Sequence, residues 1–512
     1  MLNSLQQDDS RLTGAGSDPL SRLLEKWAGS ANLTKLLVFL VSLCLILQLN
    51  SHFWLDETVS YWTANGGFGQ IVSRCTTWPH SILYSFLFLW FRSLGAAQPW
   101  LYRLPSFLGV AGATVLLFRL ARRLFSREIA WIAVAVFVSL QPVQFAAGDA
   151  RPYGLGLFAT VLSTELLLRL IERPGYRLAA LYGVTAGLIL HFHLVFGAVL
   201  AVHLLYFLAC FLAGRRIPAV QAVIAVVVLA VVAAPLIPQY GAAFRDAKIH
   251  SVAARPGLAD LLKTYFPEAS AIALIATGVV LMISAPRVRL ALPAHRLDRG
   301  LAVLWALAPP ILLFAVSKVS AAQVFAPRYL LTFSPGFAIC LAALITSVQI
   351  RLLNRLVLCA LIVLAAAPLK RPSQISHARF LGDWAEAVAL VDRETAVDHS
   401  LVLLRSQFIE SDFLPLEPVQ DNPLFSQLTF YPTKSQIVPL SRSFQKAQIA
   451  RLEHFLATKL TSSSRRFFFM FHGDVSAADS IVYYLLGRLG PRWHMRTAGD
   501  FDGVMVTEFY RV

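Results

Sequence analysis

Two acidic residues, Asp56 and Glu57, stand side by side just past the first apolar run, in Phe53-Trp54-Leu55-Asp56-Glu57-Thr58. A third, Asp149, closes a later run in Gly148-Asp149-Ala150-Arg151-Pro152-Tyr153. Carboxylates in such places can take a proton from a hydroxyl or hold a hard cation. If the two stretches reach the same side of a membrane, they put a carboxylate site at the mouth of a helical bundle. His52, His80, Arg103, Arg151, Lys318 and Arg328 also fall at or near the ends of apolar runs. Ionisable groups at that depth are costly unless they are paired or line a wet cavity, so each is a functional candidate.

The combination suits the transfer of a sugar from a polyprenyl phosphate to an acceptor hydroxyl. That reaction needs a base near the hydroxyl and positive charge on the departing phosphate. Asp56 is the leading candidate for the base, with Glu57 and Asp149 beside it. Arginine's planar fork suits the phosphate, which favours Arg328, with Arg103, Arg151 and His80 behind it. In-line displacement opposite Asp56 would invert the anomeric carbon. Each assignment has a plainer competitor. Asp56 could cap a loop helix, Asp149 could pair with Arg151, and Arg328 could snorkel to the membrane interface. His191 and His193, two apart on a helix, point to different faces and make a poor metal pair, which leaves His193 as a packing or cavity residue. No spacing requires a metal, although a divalent cation could sit on the carboxylates.

The elements that position these residues follow from composition. The chain has 512 residues, 57% of them hydrophobic and only 14% charged. A soluble protein carries about 25% charged residues, and several apolar runs here approach the ~20 residues that cross a bilayer as a helix. Residues 1–30 are polar and mixed in charge, which argues against a cleaved signal peptide. The net charge of +16 reads as cytoplasmic loop charge, because no basic stripe interleaved with aromatics points to nucleic acid. The five cysteines form neither a zinc spacing nor a disulfide framework.

The runs predict about eleven spans: 33–50, 104–121, 130–147, 153–170, 178–194, 196–213, 218–238, 268–285, 300–317, 330–349 and 352–369. With the N-terminus inside, the clusters at Arg122/Arg123/Arg127, Arg169/Arg173/Arg177, Arg215/Arg216, Arg287 to Arg299 and Arg351/Arg355 are all cytoplasmic. The stretch from Ser81 to Leu94 is short for a span and reads as an interfacial or re-entrant helix, with Trp78, Trp90 and Trp100 near headgroup depth. Residues 1–32 then form a cytoplasmic segment and 33–369 a membrane domain with a long external loop, 51–103. Residues 370–512, richer in charge and proline, form an external domain of ordinary size. Within that domain, helices are expected at Gly382–Glu394 and Ser480–Leu489, and strands at Ser400–Arg405, Arg466–Phe471 and Gly503–Tyr510, which makes a small α/β layer.

The motifs resemble a family. Trp54-Leu55-Asp56-Glu57-Thr58 is similar to the first-loop Asp-Glu motif of the C-type (GT-C) membrane glycosyltransferases. Within that group the motifs resemble those of bacterial members of family 39, related to protein O-mannosyltransferases and lipid A aminoarabinose transferases. Trp78-Pro79-His80-Ser81-Ile82-Leu83-Tyr84 resembles the family's His-Pro-Pro-Leu-Tyr segment, and Tyr102-Arg103-Leu104-Pro105-Ser106 its Arg-Leu-Pro-Ser segment. Asp149-Ala150-Arg151-Pro152-Tyr153 resembles its Glu-Ala-Arg-x-Tyr loop, and His193-Leu194-Val195-Phe196-Gly197 a His-Tyr-Phe-Gly patch. Pro327-Arg328-Tyr329-Leu330-Leu331 with Pro335 resembles its Arg-Tyr-Leu segment, and Asp383-Trp384 the start of its external domain. Two departures stand out: Asp149 replaces a Glu, and Trp78-Pro79-His80 replaces His-Pro-Pro.

The resemblance implies an all-α polytopic GT-C fold with a C-terminal α/β domain and a base at Asp56. It also implies a polyprenyl-phosphate sugar donor, an extracytoplasmic reaction at a bacterial inner membrane, and Arg328 near the donor phosphate. Tyr329, Lys318 and His193 join the substrate-binding set. The acceptor could be a glycan, a lipid or a protein. The competing class is a transporter or flippase of lipid-linked sugars, which favours charges in mid-span and repeated halves. A non-catalytic scaffold is the third reading.

Overall fold

The computed structural model describes residues 30–77, 80–93, 98–215, 219–246, 255–265, 296–347, 360, 382–460, 465–473 and 475–512. The bundle begins with α1 (Ser30–Gln48), then α2 (Leu55–Ala64), α3 (Phe68–Thr77) and α4 (Ile82–Ser93). It continues through α5 (Pro99–Leu124), α6 (Arg127–Ser139), α7 (Gln141–Ala147), α8 (Tyr153–Glu172), α9 (Tyr176–Phe192) and α10 (Gly197–Leu212). After these come α11 (Ala219–Ala233), α12 (Ile237–Arg245), α13 (Leu258–Thr264), α14 (Arg296–Val319) and α15 (Ser334–Ser347).

Among the described residues, seven segments are long and apolar enough to cross a membrane: Ala31–Gln48, Pro99–Leu124, Tyr153–Glu172, Leu194–Leu212, Ala219–Ala243, Arg299–Val319 and Pro327–Thr346. The pair α6 and α7 passes the same test together, bent by 71°. The run expected at 178–194 is α9, a helix of 17 residues. The span expected at 268–285, that at 352–369 apart from residue 360, and the boundary between 369 and 370 lie outside the described residues. The stretch from Ser81 forms α4, whose 12 residues are too short to span. Trp90 and Trp100 are exposed, and Trp78 lies outside the described residues.

Local chemistry sets the geometry around the first and second loops. The α6–α7 bend has a proline cause. Pro142 has no N–H for the carbonyl of Val138 and its ring crowds that position, so the helix breaks. The side chain of Gln144 supplies the missing donor, with Nε2 giving a hydrogen bond of 3.0 Å to the Val138 carbonyl. At the crossing of α5 and α8, a Cβ on Gly154 would stand 2.2 Å from the Ser106 carbonyl oxygen. Glycine there lets the two backbones touch. The Ser106 hydroxyl then donates to the Arg151 carbonyl at 2.5 Å, which pins the second loop to α5.

The C-terminal part contains α16 (Trp384–Thr395), β1 (Val402–Arg405), α17 (Gln427–Phe430), β2 (Ile437–Leu440), α18 (Lys446–Thr458), β3 (Arg466–His472), α19 (Val475–Leu489), β4 (Trp493–Phe501) and β5 (Val504–Arg511). The sheet order is β2-β1-β3-β5-β4. β1 runs parallel to both β2 and β3, pairing Val402 with Ile437 and with Phe468. β5 runs antiparallel to β3 and β4. One face of the sheet packs on α16 and the segment around Phe425, and the other on α18 and α19 through Leu452, Phe455, Ile481 and Leu485. This is the expected α/β layer with two further strands, β2 and β4, and two further helices, α17 and α18.

The two parts meet along α2. Trp62 is buried among Trp384, Leu416, Phe425 and Met470 in a core of the sheet domain. Its indole N–H donates to Asp421 at 3.1 Å, and Arg74 reaches the same carboxylate at 2.7 Å. Phe53 stacks on Phe430 with ring centroids 4.5 Å apart, and its N–H donates to the Tyr431 hydroxyl at 2.6 Å.

Candidate active site

The site begins with the first turn of α2. Trp54 is extended and precedes the helix, and its N–H donates to Glu57 Oε2 at 3.3 Å, closing the turn. Two carboxylates in that turn oppose the positive end of the helix dipole. Consecutive helix positions point about 100° apart, so Asp56 and Glu57 part company. Glu57 turns inward and is fully buried. Arg103, also fully buried, grips it with Nε at 2.7 Å from Oε1 and Nη2 at 2.5 Å from Oε2. The remaining donors of Arg103 go to the carbonyls of Gln48, Leu49, Ser51 and His52, just where α1 runs out of its own N–H partners. The N–H of Ala150 adds a bond to Glu57 Oε1 at 2.8 Å. One ion pair thus ties α1, α2, α5 and the second loop together.

Asp56 turns the other way, onto a cavity of about 740 Å³. Its Oδ2 accepts from Arg328 Nη1 at 2.8 Å. Arg328 comes from the 3-10 turn Pro327–Phe333 that leads into α15, and its guanidinium lies over the Tyr329 ring. Arg151 reaches the Asp56 carbonyl with Nη1 at 3.2 Å, and the same nitrogen lies 3.4 Å from His80 Nδ1. Gln239 of α12 holds the chain at His80 by donating to its carbonyl at 2.6 Å. His193 sits between the rings of Tyr153 and Tyr329, 5.5 and 5.1 Å between centroids.

Six of the candidates therefore line one cavity: Asp56, His80, Arg151, His193, Arg328 and Tyr329. Five do not, and each has a physical reason. His52 is taken up by Asp383 at 2.9 Å. Glu57 and Arg103 neutralise each other in the interior. Asp149 is fully buried behind Trp54 and accepts from its indole N–H at 3.0 Å, so the residue that reaches the cavity is Trp54. Burial and the nearby Glu57 charge push the Asp149 carboxyl well above the usual carboxylate range, against Arg151 and the Trp54 bond. Lys318 is exposed, with its ammonium over the Phe314 ring. His193 also departs from the helix expected for it. α9 ends at Phe192, and His193 is extended, its Nδ1 accepting from the N–H of Val195. Among the described residues, no group of three His, Cys, Asp or Glu side chains is placed to hold a metal ion.

Several lining residues carried no signal in the sequence. Gln239 and Tyr240 come from the bundle, while Arg405, Gln407, Glu410, Arg442 and His472 come from the sheet domain. The last five are dispersed along the chain, and only the parallel strand order brings them together.

Comparison with known proteins places the architecture. No family model matches the sequence, and no curated protein matches it. ArnT from Cupriavidus metallidurans bound to undecaprenyl phosphate superposes with a TM-score of 0.50 at 13% identity, covering 93% of this chain and 97% of that one. The apo state of the same protein gives 0.46 at 12% identity over the same shares. The Archaeoglobus fulgidus oligosaccharyltransferase, in complex with Zn and sulfate, gives 0.40 at 15% identity, over 85% of this chain and 68% of that one. The first of these shows the fold: this chain has the ArnT-like GT-C architecture of apolar helices followed by a small sheet domain.

Proposed function

We propose that this protein is a glycosyltransferase of the membrane, moving a sugar from a polyprenyl-phosphate donor to an acceptor hydroxyl on the extracytoplasmic side, with Asp56 as base. The observation that carries the reading is the Asp56–Arg328 pair on the wall of a large cavity between the bundle and the sheet domain. A fold shared with an ArnT that binds undecaprenyl phosphate supports the same donor class. The acceptor oxygen attacks the anomeric carbon as the bond from that carbon to the phosphate oxygen breaks. The bonding pair leaves with the polyprenyl phosphate, the acceptor proton passes to Asp56, and the anomeric carbon inverts.

The pair also gives the two groups an order of use. While Arg328 holds Asp56 Oδ2, that oxygen is not open to an acceptor hydroxyl. A donor phosphate competes for the Arg328 fork, with Arg151 beside it, and frees the Asp56 oxygen for the acceptor. In this reading Glu57, Arg103 and Asp149 are positioning residues. Glu57 and Arg103 set α2 and the second loop, and Asp149 sets the Trp54 ring.

The test is mass spectrometry of envelope glycans and glycolipids from bacterial cells with wild type, a deletion, or Asp56→Asn at matched protein levels. A sugar lost from the same acceptor in both the deletion and the point variant is the expected result. A sugar lost only in the deletion removes Asp56 as base and favours transport of a lipid-linked sugar.

A further inference from the structure

Three parallel neighbours, β2, β1 and β3, end at the same edge of the sheet. In open α/β sheets that carboxyl edge is where the chain diverges and leaves a crevice for ligands. Here the crevice opens onto the cavity that holds Asp56. Arg405 is the last residue of β1, Arg442 lies two residues past β2, and His472 closes β3 with Gly473 beside it; all four line the cavity. We propose that this edge is the acceptor site, and that Arg442 receives an anionic group of the acceptor, a phosphate or a carboxylate. The proposal rests on the transferase reading and adds the charge class of the acceptor.

The geometry favours Arg442 for two reasons. First, it faces the cavity, and among the described residues it makes no ion pair, whereas Arg328 pairs with Asp56 and Arg466 with Glu394, Asp398 and Glu508. Second, its backbone is held on both sides. The Arg442 N–H donates to the Ser411 hydroxyl at 2.8 Å, and the carbonyl accepts from Arg405 Nε at 2.7 Å. Ser443 gives both its N–H and its hydroxyl to Asp412, at 2.9 and 2.6 Å, and the Ser441 hydroxyl donates to Gln448 at 2.7 Å. A guanidinium on a fixed base loses less conformational entropy on binding than one on a loose loop.

Charge on the wall points the same way. Among the described residues, Glu410 is the one carboxylate of the sheet domain on the cavity wall, where Arg405 and Arg442 supply two guanidiniums. Arg405 is buried and spends its Nε on the Arg442 carbonyl, so it braces the site and adds positive charge behind it. Donor and acceptor are thereby divided between the two parts of the molecule. The bundle takes the lipid phosphate at Arg328, and the sheet edge takes the acceptor's anion.

Binding to the full chain in phosphatidylcholine nanodiscs tests this. Undecaprenyl phosphate is added to saturation to fill the donor site, and affinity is then measured for glucose 1-phosphate, glucuronate and uncharged glucose. Wild type is expected to bind at least one of the two anionic sugars and to bind glucose poorly. Arg442→Gln should weaken that anion about tenfold or more, with Arg442→Lys recovering part of the loss and both variants keeping undecaprenyl phosphate. The preferred sugar identifies phosphate or carboxylate as the group. Equal binding of all three sugars, or anion binding unchanged in Arg442→Gln, overturns the proposal. Loss of undecaprenyl phosphate binding by wild type would instead overturn the donor reading.

Discussion

Asp56 and Glu57 are adjacent and chemically alike, yet the structure gives them opposite surroundings. Their substitutions should therefore separate cleanly. Asp56→Asn is expected to lower turnover by about 10² to 10⁴, the usual contribution of a positioned base, while the protein unfolds at an unchanged temperature. Glu57→Gln leaves the Arg103 cation without its counter-charge in the interior and should cost about 3–5 kcal/mol, read as a lower unfolding temperature in detergent. A variant pair with the reverse pattern would exchange the two roles. The sequence shows that these carboxylates are unusual, because charge at the end of an apolar run is rare. It does not show which of them faces water, because that depends on where the rest of the bundle stands around a single helix turn.

At the level of elements, the contact of α5 with α8 has the least room to adjust. The atoms that a Gly154 side chain would meet belong to the Ser106 backbone, which cannot rotate aside. Gly154→Ala should cost about 1–3 kcal/mol by overpacking. It should also slow transfer by shifting Arg151, whose carbonyl is tied to Ser106; thermal unfolding and a turnover assay on one preparation check both. Most spans, and the central strands β1, β3 and β5, are legible because they are long apolar runs or strands of a buried sheet. The missed strands have a shared cause. β2 and β4 are the two edges of the sheet. β2 carries Pro439, tolerated where one side needs no ladder donor, and β4 is largely exposed and polar, so neither shows a buried strand's pattern.

For the whole molecule, the seam between bundle and sheet domain carries a titratable contact. His52 Nδ1 lies 2.9 Å from Asp383, the N-cap of α16. The Asp383 hydrogen bond raises the His52 pKa above its ordinary 6.5, outweighing burial. A raised folded-state pKa stabilises the protonated form, so the contribution is complete below about pH 6.5 and is lost as pH climbs through the raised value. Thermal unfolding of wild type against His52→Gln should show a wild-type advantage at acidic pH that fades under alkaline conditions; a constant difference would place the effect elsewhere. The cavity wall was only half legible for the same reason the seam was not: both exist only once two distant stretches of chain dock. Trp62 gives that docking a further meaning. The indole belongs by sequence to the membrane part, yet it fills a core built from Trp384, Phe425 and Met470. During synthesis the ribosome delivers the plug long before its socket. A severed C-terminal fragment would thus carry a hole lined with oily side chains. Transplanting this domain between homologous chains means moving the tryptophan with it.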